Sequence, residues 1–290
     1  MKIQSFSICV PTNGCVNKCK FCVSRMHENQ YPNLLCDKVN QNLARQELID
    51  RLSFVSSDNS SSTVVLTGTG EPLQNMAFLT KFNECNRALK NPFMWIELQT
   101  SGVMLDKGHL EFLRAIGVKT ISLSISDLFD DERNAEIIGM PDALKFKLED
   151  VCKLIKDMNF NLRLSLNMTK AYHWHSVGDI HIRAKQLGAN QITFRKLYRS
   201  IGGDAEINNW IKDNKMDDKA FKTIRDVLKK EAIPLEILPF GAVKYSFGGM
   251  GVVLDEDCMS KEIKDTYRYL ILRENCKLYS RWDMRSSLVF

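Results

Sequence analysis

Apolar and polar residues alternate strictly in four short stretches of this chain. In 120–127, Ile121, Leu123 and Ile125 alternate with Ser122, Ser124 and Ser126. In 161–169, Leu162, Leu164, Leu166 and Met168 alternate with Arg163, Ser165, Asn167 and Thr169. Ile96 and Leu98 oppose Glu97, Gln99 and Ser101 in 95–101, and Ile192 and Phe194 oppose Gln191, Thr193 and Arg195 in 191–197. A period of two marks a strand with one apolar face. With 5–11 and 63–68 the pattern predicts six strands. Helix-period segments fall near 40–55, 75–90, 106–116, 142–158 and 175–187. Asp106 and Asp142 are expected as N-caps, and Gly117 and Gly188 follow the last helical turns.

Strands separated by helices predict parallel βαβ units with right-handed crossovers. Six such units make an α/β fold, a partial (β/α)6 parallel barrel two units short of a closed one. Parallel sheets are covered on both faces, so the apolar faces turn to the helices and the polar faces turn inward. Serines, an asparagine, an arginine and a glutamine do not make a dry core. They predict a polar lumen that takes a ligand. Arg163 in such an interior needs a counter-charge, and Glu97 is expected to supply it, leaving Arg195 for an anionic group. Gln99, Glu97 and Arg163 are therefore candidate substrate-facing residues.

After residue 200 the pattern changes. A helix over 216–231 precedes short strands at 235–238, 242–247 and 251–254, broken by Pro239 and by Gly248 and Gly249. Segments 267–273 and 277–282 flank Glu274, Asn275 and Cys276 as a hairpin. Residues 201–290 are thus expected to form a small α+β cap over a barrel built by residues 1–200. Tyr245, Phe247, Tyr269, Tyr279 and Trp282 read first as packing, and second as a stack for a base.

Composition changes this picture little. With 44% hydrophobic and 26% charged residues, a disordered chain is ruled out. No apolar run approaches the roughly 18 residues of a membrane span. The first ten residues lack a secretory h-region, so a cytoplasmic location is expected. A net charge of +5 is too mild to indicate nucleic acid. Residues 201–290 hold 15 basic and 15 acidic residues, which puts the whole excess in the first 200. There, Arg183, Lys185, Arg195, Lys196 and Arg199 follow one another with no acid between them, the pattern of a solvated helix end or of an anion site.

Nine cysteines in such a chain are not a disulfide framework. Cys9, Cys36, Cys85, Cys152, Cys258 and Cys276 are scattered and read as small buried hydrophobes. Cys15, Cys19 and Cys22 are packed into eight residues just after the first strand, at the end where barrels carry their sites. Soft sulfur ligands select zinc, copper(I) or iron–sulfur. A structural zinc wants a fourth ligand, for which Cys9 or Cys36 is available. On a four-iron cluster, three cysteines leave one iron open to an exogenous ligand.

With Phe21 before the third cysteine, this Cys-x3-Cys-x2-Cys run resembles the signature of radical S-adenosylmethionine (AdoMet) enzymes. The segment Gly68-Thr69-Gly70-Glu71-Pro72, after the second strand, is similar to that family's Gly-Gly-Glu-Pro motif, with Thr69 at the first glycine. The resemblance implies a [4Fe–4S] cluster on Cys15, Cys19 and Cys22, with Phe21 beside the cofactors. It places Gly70 and Glu71 at the AdoMet amino group, Ser124 and Asn167 at its ribose or carboxylate, and Arg195 at the carboxylate. It also implies an external one-electron reductant of flavodoxin or ferredoxin type, reductive cleavage of AdoMet, and hydrogen abstraction from a substrate. In brevity and single cluster the chain resembles carboxy-deazaguanine synthases and glycyl-radical activases, and in Gly70–Asn75 the RNA adenine methylases. The expected substrate is small and nucleoside-like or anionic, with RNA or peptide modification as the alternative. A zinc-stabilised binding protein without catalysis is the reading from a different class.

Overall fold

The computed structural model describes residues 2–27, 45–59, 62–238, 242–256, 266–282 and 284–290; Cys36 and Cys258 lie outside them. The six expected strands are present as β1 (Lys2–Cys9), β2 (Thr63–Thr67), β3 (Ile96–Thr100), β4 (Val118–Ile125), β5 (Asn161–Asn167) and β6 (Gln191–Arg195). All five of their consecutive pairings are parallel. Between them run α1 (Val23–Met26), α2 (Arg45–Asn59), α3 (Met76–Arg87), α4 (Lys107–Ala115), α5 (Asp131–Ile138), α6 (Leu148–Asp157) and α7 (Val177–Gln186). The sheet is not closed, and the architecture is a partial barrel.

The alternation decides which way the strands face. Leu98, Ile121, Leu123, Ile125, Leu162, Leu164 and Leu166 are buried in one continuous core with the helices. Their polar neighbours point to the other side, where Glu97, Gln99, Ser122, Arg163, Gln191, Thr193 and Arg195 line a cavity of about 570 Å³. Lateral register keeps these residues in rows: Ser122 lies opposite Arg163, Arg163 opposite Gln191, and Asn167 opposite Arg195. The expected polar lumen is therefore the interior of the barrel.

Helix ends follow local chemistry, with one exception. Asp106 accepts from His109 N at 2.8 Å as the N-cap of α4, and Ser176 with Asp179 makes a capping box on α7. Asp142 is not the N-cap of α6. It opens a short 3-10 turn, Asp142–Leu144, and α6 starts at Leu148. The helix start is served from a neighbouring helix instead, because Asp131 Oδ1 accepts from Leu148 N at 3.3 Å.

The C-terminal residues contribute α8 (Ala205–Asn214), α9 (Asp218–Glu231), β7 (Ile233–Ile237), β8 (Val243–Phe247), β9 (Met250–Asp255), β10 (Thr266–Leu272) and β11 (Leu278–Tyr279). Expected as a cap, these strands instead extend the same sheet at both ends, in the order β11-β10-β1-β2-β3-β4-β5-β6-β9-β8-β7. β10 runs parallel to β1 and β9 parallel to β6, so eight parallel strands stand side by side. The physical reason is that β1 and β6 would otherwise present bare rows of N–H and C=O groups. Tyr269 of β10, Trp282 after β11, and Glu236 and Lys244 of the β7–β8 hairpin complete the lumen wall.

Candidate active site

The cysteine loop leaves the C-terminal end of β1 and is held from three sides. From β2, Thr67 O accepts from Val10 N at 2.7 Å. Gln74 Oε1 accepts from Val16 N at 3.0 Å, and Ser101 Oγ, after β3, accepts from Asn17 Nδ2 at 2.8 Å. On the third side, the end of α5 takes Lys18 N on Gly139 O (3.1 Å) and Lys20 N on Ile137 O (3.0 Å). Gly139 has φ +60°, and a Cβ there would lie 2.6 Å from Lys18 O. A glycine is required both by the backbone conformation and by the approach of the loop.

Gly70 meets the same loop from below. A Cβ on Gly70 would lie 2.3 Å from Thr12 Oγ1 and 2.6 Å from Gly14 O. The motif at the end of β2 thus packs against the cysteine loop with no room for a side chain. Gly70→Ala is expected to destabilise the protein by about 1–3 kcal/mol, the usual cost of overpacking. It should also lower iron retention, because the Gly14 backbone stands in the way as well as the Thr12 hydroxyl. Thermal unfolding together with iron analysis checks this.

Glu71 is buried, at 3% exposure. One of its oxygens accepts from Thr100 Oγ1 at 2.7 Å and from Leu73 N at 3.5 Å. The other accepts from Ser101 N at 3.0 Å and Ser101 Oγ at 2.8 Å. Burial pushes its carboxyl above the usual range, opposed by these hydrogen bonds, which favour the charged form. Ser101 therefore joins Glu71 to Asn17, linking the glycine-rich motif to the cysteine loop.

Cys15 is exposed, and Cys19 and Cys22 are half-buried. Burial raises the Cys15 and Cys19 thiols, and the charge on Cys22 raises both further. Raised thiols stay protonated on their own, so this loop needs a cationic centre beside it before its cysteines become thiolate ligands. Thr12 Oγ1 and Asn17 Oδ1 are also buried with no hydrogen-bond partner among the described residues. Three cysteines on one loop are the donor chemistry of such a cluster, but among the described residues no three of His, Cys, Asp or Glu stand close enough together to hold a metal. When bound, the cluster and AdoMet supply one-electron reductive cleavage of the sulfonium; the chain's part is to hold and orient them and to exclude water. Phe21 lies half-buried against Trp210 of α8, with ring centroids 6.1 Å apart. Val23 and Ser24, which directly follow Cys22, line the lumen and connect it to the cysteine loop.

Inside the lumen, Arg163 Nη1 donates to Glu97 Oε2 at 2.5 Å, the expected pairing. Its Nε and Nη2 also donate to Gln191 Oε1, at 2.9 and 2.7 Å. Asn167 Nδ2 donates to Ser124 Oγ at 3.0 Å, which brings those two residues together at the ends of β5 and β4. Arg195 is not left for an anion. Asp255 of β9 lies opposite it in register, with Oδ2 at 3.7 Å from Arg195 Nε. The acid-free basic run is likewise answered from elsewhere, by Glu149 on Arg183 and Asp218 on Lys196, each at 2.7 Å. An anionic substrate loses its main support.

Several positioning residues escaped the alternation pattern: Asn17, Gln74 and all of α5; Ser101 was placed on the polar face of its strand, but its bonds to Glu71 and Asn17 were not foreseen. For α5 a signal was present, since Asp130 caps its start and Gly139 ends it in the left-handed conformation. The aromatic residues divide. Tyr269 and Trp282 line the lumen, whereas Tyr245 and Tyr279 are buried and Phe247 packs edge-on against His181.

Among known proteins, a probable dual-specificity RNA methyltransferase RlmN of Clostridium botulinum (strain Alaska E43 / Type E3) is 32% identical over 157 residues, 52% of this chain and 41% of that protein. The same-named protein of strain Hall is 24% identical over 251 residues, 82% of this chain and 56% of that protein. The chain thus spans about half the length of the curated relatives it matches. The solved structure of native anSMEcpe with bound AdoMet and Cp18Cys peptide shares the fold at TM-score 0.64 and 15% identity, over 98% of this chain and 75% of the other. Streptococcus suis SuiB bound to S-adenosylmethionine does so at TM-score 0.61 and 13% identity, over 97% and 60%. Among the described residues no helix is long and apolar enough to cross a membrane. Residues 9–171, more than half of the chain and including both motif loops, match the radical SAM superfamily; the chain belongs to it, a superfamily of enzymes whose cofactors are a [4Fe–4S] cluster and AdoMet.

Proposed function

We propose that this enzyme cleaves AdoMet reductively and abstracts hydrogen from a small, uncharged, nucleoside-like molecule held in the lumen. The observation that carries this reading is the balance of charge along the lumen wall. Of its three cationic residues, Arg163 and Arg195 pair with Glu97 and Asp255, and Lys244 lies opposite Glu236 in strand register. An anion at either arginine would have to compete with its carboxylate, and separating partly buried charges is costly. The rest of the wall offers hydroxyls and amides, among them Ser5, Ser7, Gln99 and Ser122, with Tyr269 and Trp282 as flat surfaces. Glu97, which lines the cavity, has its Oε1 without a hydrogen-bond partner among the described residues, which supports a ligand that donates hydrogen bonds. A cavity of about 570 Å³ is of ordinary size for a small-molecule site.

On this reading Cys15, Cys19 and Cys22 hold the cluster and Gly70 the AdoMet amino group, with Ser124 and Asn167 at the ribose. Residues 201–290 act as an extension that walls the substrate end. A flavodoxin- or ferredoxin-like protein supplies the electron. The free thiols of seven described cysteines support a reducing, cytoplasmic setting. The relatives' name, RNA methyltransferase, favours a second reading in which the base belongs to an RNA.

The test is 5′-deoxyadenosine formation by anaerobically reconstituted enzyme, offered either a pool of nucleosides or total RNA. Stimulation by nucleosides is expected, with about tenfold weaker apparent affinity in Trp282→Ala, the usual size of a lost stacking contact. Stimulation by RNA alone would replace the first reading with the second. Stimulation only by charged small molecules would defeat both.

A further inference from the structure

The loop after β2 is met by a residue from the far end of the chain. Thr69 stands at the first glycine of the Gly-Gly-Glu-Pro pattern. Its hydroxyl donates to Glu274 Oε1 at 2.9 Å, across 205 residues of sequence. Glu274 is 5% exposed and follows β10 in the turn to β11, outside the segment that matches the superfamily. Beside it, Arg273 is 4% exposed, its Nη1 lies 4.0 Å from Glu274 Oε2, and its Nη2 donates to Trp282 O at 2.8 Å. Cys9, at the end of β1, is buried next to this pair.

We propose that Glu274 is a positioning residue for the AdoMet-binding loop, acting through Thr69. A buried carboxylate is expensive unless its lone pairs are used. The chain keeps one here, 5% exposed, with Thr69 donating to its Oε1 and with Oε2, 4.0 Å from Arg273 Nη1, accepting no hydrogen bond among the described residues. A threonine with an uncommitted hydroxyl would in turn be a poor replacement for glycine in a loop that packs on backbone. Together they fix the loop that carries Gly70 and Glu71 from the side opposite Ser101. Arg273 carries the same grip to Trp282 in the lumen wall. β10 thereby does more than cover the edge of β1, since its C-terminal turn reaches over β1 to hold the loop at the end of β2.

The test reads AdoMet affinity by calorimetry and iron content, on the full chain with its cluster reconstituted, so it is independent of the substrate. Thr69→Val and Glu274→Leu are each expected to weaken AdoMet binding about tenfold with iron content unchanged. The double variant should be no weaker than either single one, because both remove the same contact. Thr69→Ser and Glu274→Gln, which keep a donor and an acceptor, should restore most of the affinity. The change that AdoMet makes in the electron paramagnetic resonance spectrum of the reduced cluster should broaden in Thr69→Val and sharpen again in Thr69→Ser. Losses that multiply in the double variant, or an unchanged affinity in both single variants, would overturn the proposal. If Glu274→Leu does not fold, Thr69→Val against Thr69→Ser decides alone. Equal affinity in those two overturns it.

Discussion

Replacing Cys15, Cys19 or Cys22 with alanine is expected to abolish cluster assembly, while Cys85→Ala and Cys152→Ala leave it intact. The wild-type protein, purified and reconstituted without oxygen, should hold about four iron and four sulfide per chain. Each of the three variants should lose them together with the broad visible absorbance. The expectation rests on position. The three thiols share one loop that runs into Val23 and Ser24 of the lumen wall, whereas Cys85 and Cys152 are buried in the hydrophobic core with α3 and α6. Burial raises the Cys152 thiol to about 12 and raises Cys85 as well, but it also raises Cys15 and Cys19, so position and not thiol acidity separates the two sets. Cys9 is the informative control, because it is fully buried beside Arg273 and Glu274 and near the loop. Full cluster content in any of the three loop variants would sink the ligand assignment. One zinc per chain in place of iron would contradict the cofactor itself.

Glu71→Ala should weaken AdoMet binding about ten- to a hundredfold, the size of a lost hydrogen bond to a charged group. Both carboxylate oxygens already accept from Thr100, Ser101 and Leu73, so the effect comes from the loop rather than from a direct contact alone. Removing the carboxylate leaves the Thr100 hydroxyl and the Ser101 N–H and hydroxyl without their acceptor. Buried unsatisfied donors cost about 1–3 kcal/mol each. The β2 and β3 loops should loosen relative to each other, and the site between them should lose its shape. Iron content should persist, because no thiol is removed and α5 still holds Lys18 and Lys20. Calorimetry with AdoMet checks the prediction, and unchanged affinity would show that the motif acts through its backbone only.

The strand faces, the polar lumen and the pairing of Arg163 with Glu97 were all legible in the sequence. Each follows from a local rule. A period of two assigns a side chain to one face whatever the strand's neighbours are, and the order of six βα units makes those neighbours sequential. The cysteine loop stood out for a similar reason, since its three cysteines lie within eight residues and need no distant partner to be noticed. The glycine at position 70 was legible as motif, but its reason was not: the 2.3 Å approach to Thr12 exists only once β1 and β2 are paired.

Arg195 shows where local rules end. Its face was assigned by alternation, yet its partner was not, because Asp255 comes beside it only through β9, which turns back through a hairpin and pairs parallel with β6. The same holds for Thr69 and Glu274, joined by β10 on the far side of β1. Strands that complete a sheet at its edges are recruited by unpaired backbone groups, which every sequence offers alike. Hydrophobic alternation specifies a face and leaves open which strand lies next to it. That choice rests on the summed packing of β9 and β10 against the finished barrel, and from it come the charge balance of the lumen and the grip on the AdoMet loop.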